Sequence, residues 1–154
     1  MDKVNQSVDN LYWSLIQEDE DGIDKYLEEL SHDEDAAGLL LNVFKEDDDF
    51  IHEFHMVVHL LDTLPPDQIY RGVVSKLLAL NWRSDHWASY IVNGLLNGVP
   101  RKSGEIDYRE FLRFVSNNGS HQVKACLLRI TNALQGEGKL KTDAAQLANQ
   151  LLTT

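Results

Sequence analysis

The chain has 154 residues, of which 43% are hydrophobic, and a formal net charge of −11 at pH 7. A chain of this length and apolar content can bury a core of its own, and its size fits one domain better than two. It has no apolar run close to the roughly 18 residues that a membrane-spanning helix needs, and its first ten residues resemble neither a signal peptide nor a transit peptide. We therefore predict a single domain over residues 1–154 that stays in the cytoplasm.

The negative charge is concentrated in the first half of the chain. Residues 1–77 contain 19 acidic and 5 basic side chains, a net charge of −14, whereas residues 78–154 contain 6 acidic and 9 basic side chains, a net charge of +3. A field of this kind attracts cationic surfaces and repels phosphate backbones. We expect a basic protein as the partner, with no direct binding to nucleic acid or to a membrane.

Apolar residues recur at three- and four-residue steps along the chain, and sustained alternation of apolar and polar residues, typical of half-buried strands, is absent. In chain order, the apolar stripes cover residues 4–15, 23–30, 40–44, 50–61, 69–80, 87–95, 111–115, 123–134 and 147–151. The junctions between them fall near residues 20, 33, 47, 65, 83, 102, 119 and 139. This pattern predicts an all-α fold of about nine short helices, stacked as antiparallel hairpins in an α-solenoid-like arrangement, with a globular helical bundle as the alternative.

The junctions contain residues that commonly begin or end helices. Pro65-Pro66 ends one helix and suits the first turn of the next, where the missing proline N–H is not needed. The candidate N-cap residues are Asp47, Asp67, Ser84 and Ser120. Flexible or left-handed positions are offered by Gly98, Gly104, Gly119, Gly136 and Gly138.

Two acidic runs, Glu18-Asp19-Glu20-Asp21 and Glu46-Asp47-Asp48-Asp49, fall at predicted turns. Alternate turns of an antiparallel stack emerge at the same edge, so we expect both runs to lie together beside Trp82 and Asp85, with residues 33–35 at the opposite edge. One or two carboxylates would suffice to stabilise a helix N-terminus, and many charge runs are simply solvated turns. Runs of four exceed that requirement and favour a binding role. The predicted binding residues are Asp19, Glu20, Asp21, Glu46, Asp47, Asp48, Asp49, Trp82 and Asp85.

The segment LNWRSDHWASYIVNGLLN contains two tryptophans in different contexts. Trp87 is at core-like helical spacing with Tyr90, Ile91 and Leu95, which predicts burial of Trp87. Trp82 precedes the predicted helix start among polar residues, which favours exposure, and an exposed aromatic beside carboxylates suits contact with a basic partner. Cys126, the single cysteine, is predicted to be a buried small hydrophobe.

Three histidines, His52, His55 and His59, follow one another at i, i+3 and i+7 and would lie near one side of a helix. Zinc can use such nitrogens, but the spacing is not that of HExxH, and the outer two rings would be roughly 10 Å apart. A structural role is therefore favoured, with His52 exposed and His59 a candidate hydrogen-bonded core histidine. A metal-dependent hydrolase using these three residues is the less favoured alternative.

Motifs for catalysis are lacking: the sequence has no glycine-rich phosphate loop, no GxSxG elbow and no CxxC pair. We expect no enzyme activity, no catalytic residues, no metal and no cofactor.

Three segments, LLNVFKEDDDFIHEFHMVVHLLDTLP, HWASYIVNGLLN and EIDYREFLRFV, occur in this order within roughly residues 36–134. In pattern and spacing they resemble the small helical immunity proteins of bacterial polymorphic-toxin and contact-dependent growth inhibition systems, in particular the immunity protein 30 family. The resemblance implies a cytoplasmic antidote that binds a cognate toxin domain, often a basic nuclease, and blocks its active site.

Combined with this resemblance, the acidic runs suggest a mechanism of occlusion. Their carboxylates would mimic phosphates and pair with Lys or Arg of the toxin, and Trp82 would serve as an apolar anchor. The alternative is an acidic helical adaptor, or nucleic-acid mimic, that binds another basic protein.

Overall fold

A computed structural model describes residues 3–45, 53–98, 106–141 and 143–153. Within these ranges the chain forms nine α-helices and no strand, which confirms the all-α prediction. The helices are α1 (Lys3–Ile16), α2 (Glu20–Ser31), α3 (Ala36–Leu41), α4 (Phe54–Leu61), α5 (Pro66–Arg83), α6 (Asp85–Leu96), α7 (Tyr108–Asn118), α8 (His121–Gly136) and α9 (Ala144–Leu151).

The first two helices form an antiparallel hairpin. The Ser7 hydroxyl of α1 donates a hydrogen bond to Glu29 Oε2 of α2 at 3.0 Å, which fixes the register of the pair. At one end, the Asp19 backbone N–H donates to the Ser14 carbonyl at 2.9 Å. At the other end, Lys3 and Asp33 line the same shallow groove. The acidic turns at 18–21 and 33–35 therefore lie at opposite ends of this hairpin.

Helix α5 is central to the packing, because it contacts α3, α6, α7 and α8. Its approach to α3 is especially close at Gly72, where an added Cβ would lie 2.9 Å from the Gly38 backbone nitrogen and 3.0 Å from Ala37 Cβ. Glycine is therefore required at this crossing. The position of α5 brings the N-terminal helices and the C-terminal helices onto one common scaffold.

An aromatic cluster joins α4 and α6 to the chain that follows α3. The Trp87 ring lies 4.9 Å from that of Phe44 and 6.1 Å from that of Phe54, measured between ring centroids. All three side chains are fully buried, so the prediction of a buried Trp87 is confirmed. Cys126 of α8 is also buried, as predicted, and burial raises the pKa of its thiol.

Helices α7, α8 and α9 pack at the C-terminal side. The Ser116 hydroxyl donates to the Leu151 carbonyl at 3.1 Å, and the Asn149 amide donates to Asn132 Oδ1 at 3.0 Å. Buried apolar residues from every described helix belong to one continuous core. None of the described helices combines the length and apolarity that crossing a membrane requires.

Candidate protein-binding surface

The three carboxylates of residues 19–21 have different roles: one caps a helix, and the other two make no such cap. Asp19 is the N-cap of α2, and its Oδ1 accepts a hydrogen bond from the Gly22 N–H at 3.2 Å. Glu20 and Asp21 occupy the first turn of the helix and are exposed. Asp19 therefore has the local role that acids often have at helix starts, whereas Glu20 and Asp21 are available for a partner.

Helix α4 packs beside the N-terminal half of α2 and creates an open groove of about 600 Å³. We call it the α2–α4 groove; it is lined by Glu20, Asp24, Glu53, His55, Met56 and His59. The ion pairs between described residues leave its three carboxylates without a basic partner. Met56 is 36% exposed beside them. Within the described part of the chain, the groove thus combines carboxylates that form no ion pair with an apolar side chain.

Trp82 and Asp85 lie on either side of the α5–α6 junction. Trp82 is 90% exposed in the last turn of α5, as predicted, and Asp85 is exposed in the first turn of α6. The junction is rigidly held, because Ser84 Oγ accepts from the Trp87 N–H at 3.2 Å and Arg83 Nε donates to the Phe44 carbonyl at 3.0 Å. An exposed indole on a well-anchored turn is suited to protein contact.

His55 connects the groove to helix α6. Its imidazole ring lies 5.2 Å from the Tyr90 ring and 5.1 Å from the Trp87 ring. Glu20 on one side and the N-terminal half of α6 on the other therefore flank α4. Between described residues, no hydrogen bond, ion pair or ring contact joins Trp82 or Asp85 directly to Asp19, Glu20 or Asp21.

The second acidic run, Glu46-Asp47-Asp48-Asp49, lies outside the described residues, and so does His52. The nearest described residues on either side are Lys45, which pairs with Asp9 of α1 at 3.0 Å, and Glu53, which lines the groove. The predicted contribution of this run to the surface stays a prediction.

The histidine predictions are partly wrong. His59 is exposed, because α4 buries Phe54, Val57 and Leu61 and leaves His59 on the opposite face, so it is not a core histidine. His55 is half-buried against aromatic rings. In the part of the chain that the structure describes, no three His, Cys, Asp or Glu side chains are grouped so as to hold a metal ion.

Several residues of this surface were not anticipated from the sequence. Asp24 was not predicted, although its i, i+4 spacing from the predicted Glu20 places both on one helix face, which is a recognisable signal. Glu53 and Met56 reach the same groove only because α4 packs against α2, and local spacing does not encode that contact. Tyr90, 43% exposed, was assigned to core-like spacing with Trp87.

A cavity of about 260 Å³ lies between α3, α4, α5 and α6. Its interior is apolar, and its more exposed lining residues are Asp62, Tyr90, Asn93 and Gly94. The apolar surroundings raise the pKa of the Asp62 carboxyl by desolvation, and the nearby His59 opposes that shift. The cavity therefore has a hydrophobic wall and one acidic group at its opening.

No protein-family model, curated protein or solved structure matches the chain.

Proposed function

We propose that the protein is an immunity protein that binds a basic toxin domain, such as a nuclease of a contact-dependent inhibition system, in the cytoplasm. The observation that carries this proposal is the α2–α4 groove, where Glu20, Asp24 and Glu53 have no basic partner among the described residues and lie beside the exposed Met56. The sequence resemblance described above supports the same class. In this role the chain has no catalytic activity of its own and needs no cofactor.

Charge explains how such an antidote would act quickly. Residues 3–45 contain 11 carboxylates and 3 lysines, a net charge of −8, and this field steers a cationic domain toward the surface. Groove carboxylates would pair with the Lys and Arg side chains that a nuclease uses for phosphate, which occludes its substrate site. Helices already packed on one core lose little conformational entropy on binding.

Trp82 and Asp85 extend the proposed surface at the α5–α6 junction, where the indole is fully available to a partner. An exposed aromatic side chain supplies the apolar contact that a purely electrostatic interface lacks. Glu46, Asp47, Asp48 and Asp49 remain part of the proposal on the sequence argument alone.

Co-expression tests the proposal directly. Where an open reading frame directly upstream encodes a large secreted protein, its basic C-terminal domain is the toxin candidate, and we expect the wild-type chain to restore growth of cells expressing it. The triple variant Glu20→Gln, Asp24→Asn, Glu53→Gln should protect poorly. The control variant Glu34→Gln, Asp35→Asn, Asp143→Asn removes the same charge from other exposed positions and should protect fully.

Two results would contradict the proposal. One is a wild-type chain that fails to bind or protect against this domain when both are expressed and folded. The other is full protection by the groove variant, since the interface would then lie elsewhere.

A further inference from the structure

The cavity between α3, α4, α5 and α6 is adjacent to the α2–α4 groove. Asp62 at its opening directly follows α4, the helix that supplies Met56 to the groove. Tyr90, which also lines the cavity, packs its ring 5.2 Å from His55 of the groove. A partner that covers the groove would therefore also reach the cavity.

The residues that line the cavity indicate which kind of side chain it can bind. Leu61, Val73 and Ile91 contribute to an apolar wall suited to methylene groups, and the exposed Asp62 is the acidic residue of the lining. Lysine and arginine have this combination of an aliphatic stem and a cationic head. A carboxylate accepts charge-assisted hydrogen bonds from either head group.

The size of the cavity favours a side chain over a free ligand. Its volume of about 260 Å³ lies below the roughly 300–1,000 Å³ typical of small-molecule sites. Deeply inserted Arg side chains are common hot spots of protein interfaces.

We propose that this cavity receives one Lys or Arg side chain of the basic partner, with the stem against the apolar wall and the head group at Asp62. This inference rests on the proposed function, because it names how the same partner is anchored. It adds a specific pocket for one basic side chain to an interface that otherwise consists of the groove carboxylates, Met56 and Trp82.

Gly94 makes the inference testable without disturbing the core. It lines the cavity at an exposed position of α6, and a Cβ added there meets no atom within 4 Å. Gly94→Leu should therefore place a side chain at the opening while keeping the helix, and Gly94→Ala is the matched control. Asp62→Asn removes the charge with almost no change in shape.

The test ligand is n-butylguanidinium, which has the chemistry of the arginine side chain, and n-butanol is the neutral comparison. Binding of each ligand is detected from the NMR chemical shifts of the full chain. A ligand this small should bind with a dissociation constant on the order of millimolar. We expect shifts at Asn93 and Gly94, about tenfold weaker binding for Asp62→Asn, no binding for Gly94→Leu and unchanged binding for Gly94→Ala.

The toxin candidate is not needed for this measurement, so its failure is distinct from failure of the proposed function. Absence of shifts around the cavity would overturn the inference. Equal binding of n-butanol and n-butylguanidinium, or binding indifferent to Asp62→Asn, would also overturn it, because the site would then be an apolar small-molecule pocket.

Discussion

Trp82 and Trp87 lie five residues apart, yet their environments are opposite. Trp82 is 90% exposed at the end of α5, whereas Trp87 is completely buried against Phe44 and Phe54. The Trp87 Nε1 atom has no hydrogen-bond partner among the described residues. Burial of apolar surface and packing against the two phenylalanine rings stabilise Trp87 in this position.

This contrast gives a prediction with an internal control. Trp87→Ala should lower the free energy of unfolding by about 3–5 kcal/mol, because it leaves a large cavity in the core. Trp82→Ala should change it by less than about 0.5 kcal/mol. Urea unfolding measures both values, and similar costs for the two variants would show that the α5–α6 junction is packed differently from this description.

Residue type together with apolar spacing predicted the burial of Trp87 and Cys126, but not the exposure of His59. An aromatic residue at apolar spacing is most stable when buried, and the structure confirms this for Trp87. His59 has apolar neighbours in sequence, but the direction of α4 places it on the solvent side. A histidine on a short helix can face either way, because its burial depends on which neighbour the helix packs against.

At the scale of single elements, two helices end with the same hydrogen-bond pattern but with different residues. After α8, Gly138 has a φ of 71°, and the Lys139 N–H donates to the Leu134 carbonyl at 3.0 Å. After α1, Glu18 has a φ of 56°, and the Asp19 N–H donates to the Ser14 carbonyl at 2.9 Å. This Schellman arrangement favours glycine at the left-handed position, so Glu18 is strained.

Glu18→Gly should therefore raise the free energy of unfolding by about 1 kcal/mol, and Gly138→Ala should lower it by about the same amount. Glu18→Ala is the control, because it removes the charge but keeps a Cβ at the left-handed position. Thermal or urea unfolding measures the free energy of unfolding of each of the three variants. If Glu18→Ala stabilised as much as Glu18→Gly, charge repulsion within the acidic run would be the cause instead of backbone strain.

Two of the predicted helix starts are confirmed, and in both a serine side chain provides the cap. Ser84 and Ser120 are N-caps as predicted, with hydrogen bonds of 3.2 Å from the N–H of Trp87 and Val123. Asp67 is not an N-cap, because the helix already begins at Pro66 and Asp67 falls in its first turn. The fixed φ of proline suits the first helical position, so the Pro-Pro pair determines this helix start more strongly than the aspartate does.

Across the whole molecule, the helix content follows from the apolar periodicity. The set of residues that meet in the α2–α4 groove does not follow from it. Glu20 and Asp24 share a helix face by their spacing alone. Their proximity to Glu53 depends on the packing of α2 against α4, which involves residues about 30 positions apart. The central position of α5 is likewise a tertiary property. The fold class could thus be predicted from the sequence, while the groove and the cavity could not.

The charge asymmetry of the sequence is retained in the structure. Lys45 neutralises Asp9 of α1, but the groove carboxylates have no such partner among the described residues. Unpaired negative charge on a rigid surface accelerates the encounter with a cationic protein, and mobile ions weaken that effect because they screen it. Association rate is therefore the property that this surface should control most strongly.

The most direct test is the association rate constant with the candidate toxin domain, measured by stopped flow from about 0.05 M to about 0.5 M salt. We predict a fall of about tenfold or more across this range for the wild-type chain. The variant Glu20→Gln, Asp24→Asn, Glu53→Gln should start slower and depend less on salt than the charge-matched control at Glu34, Asp35 and Asp143. A rate that is independent of salt, or equal for both variants, would contradict the account.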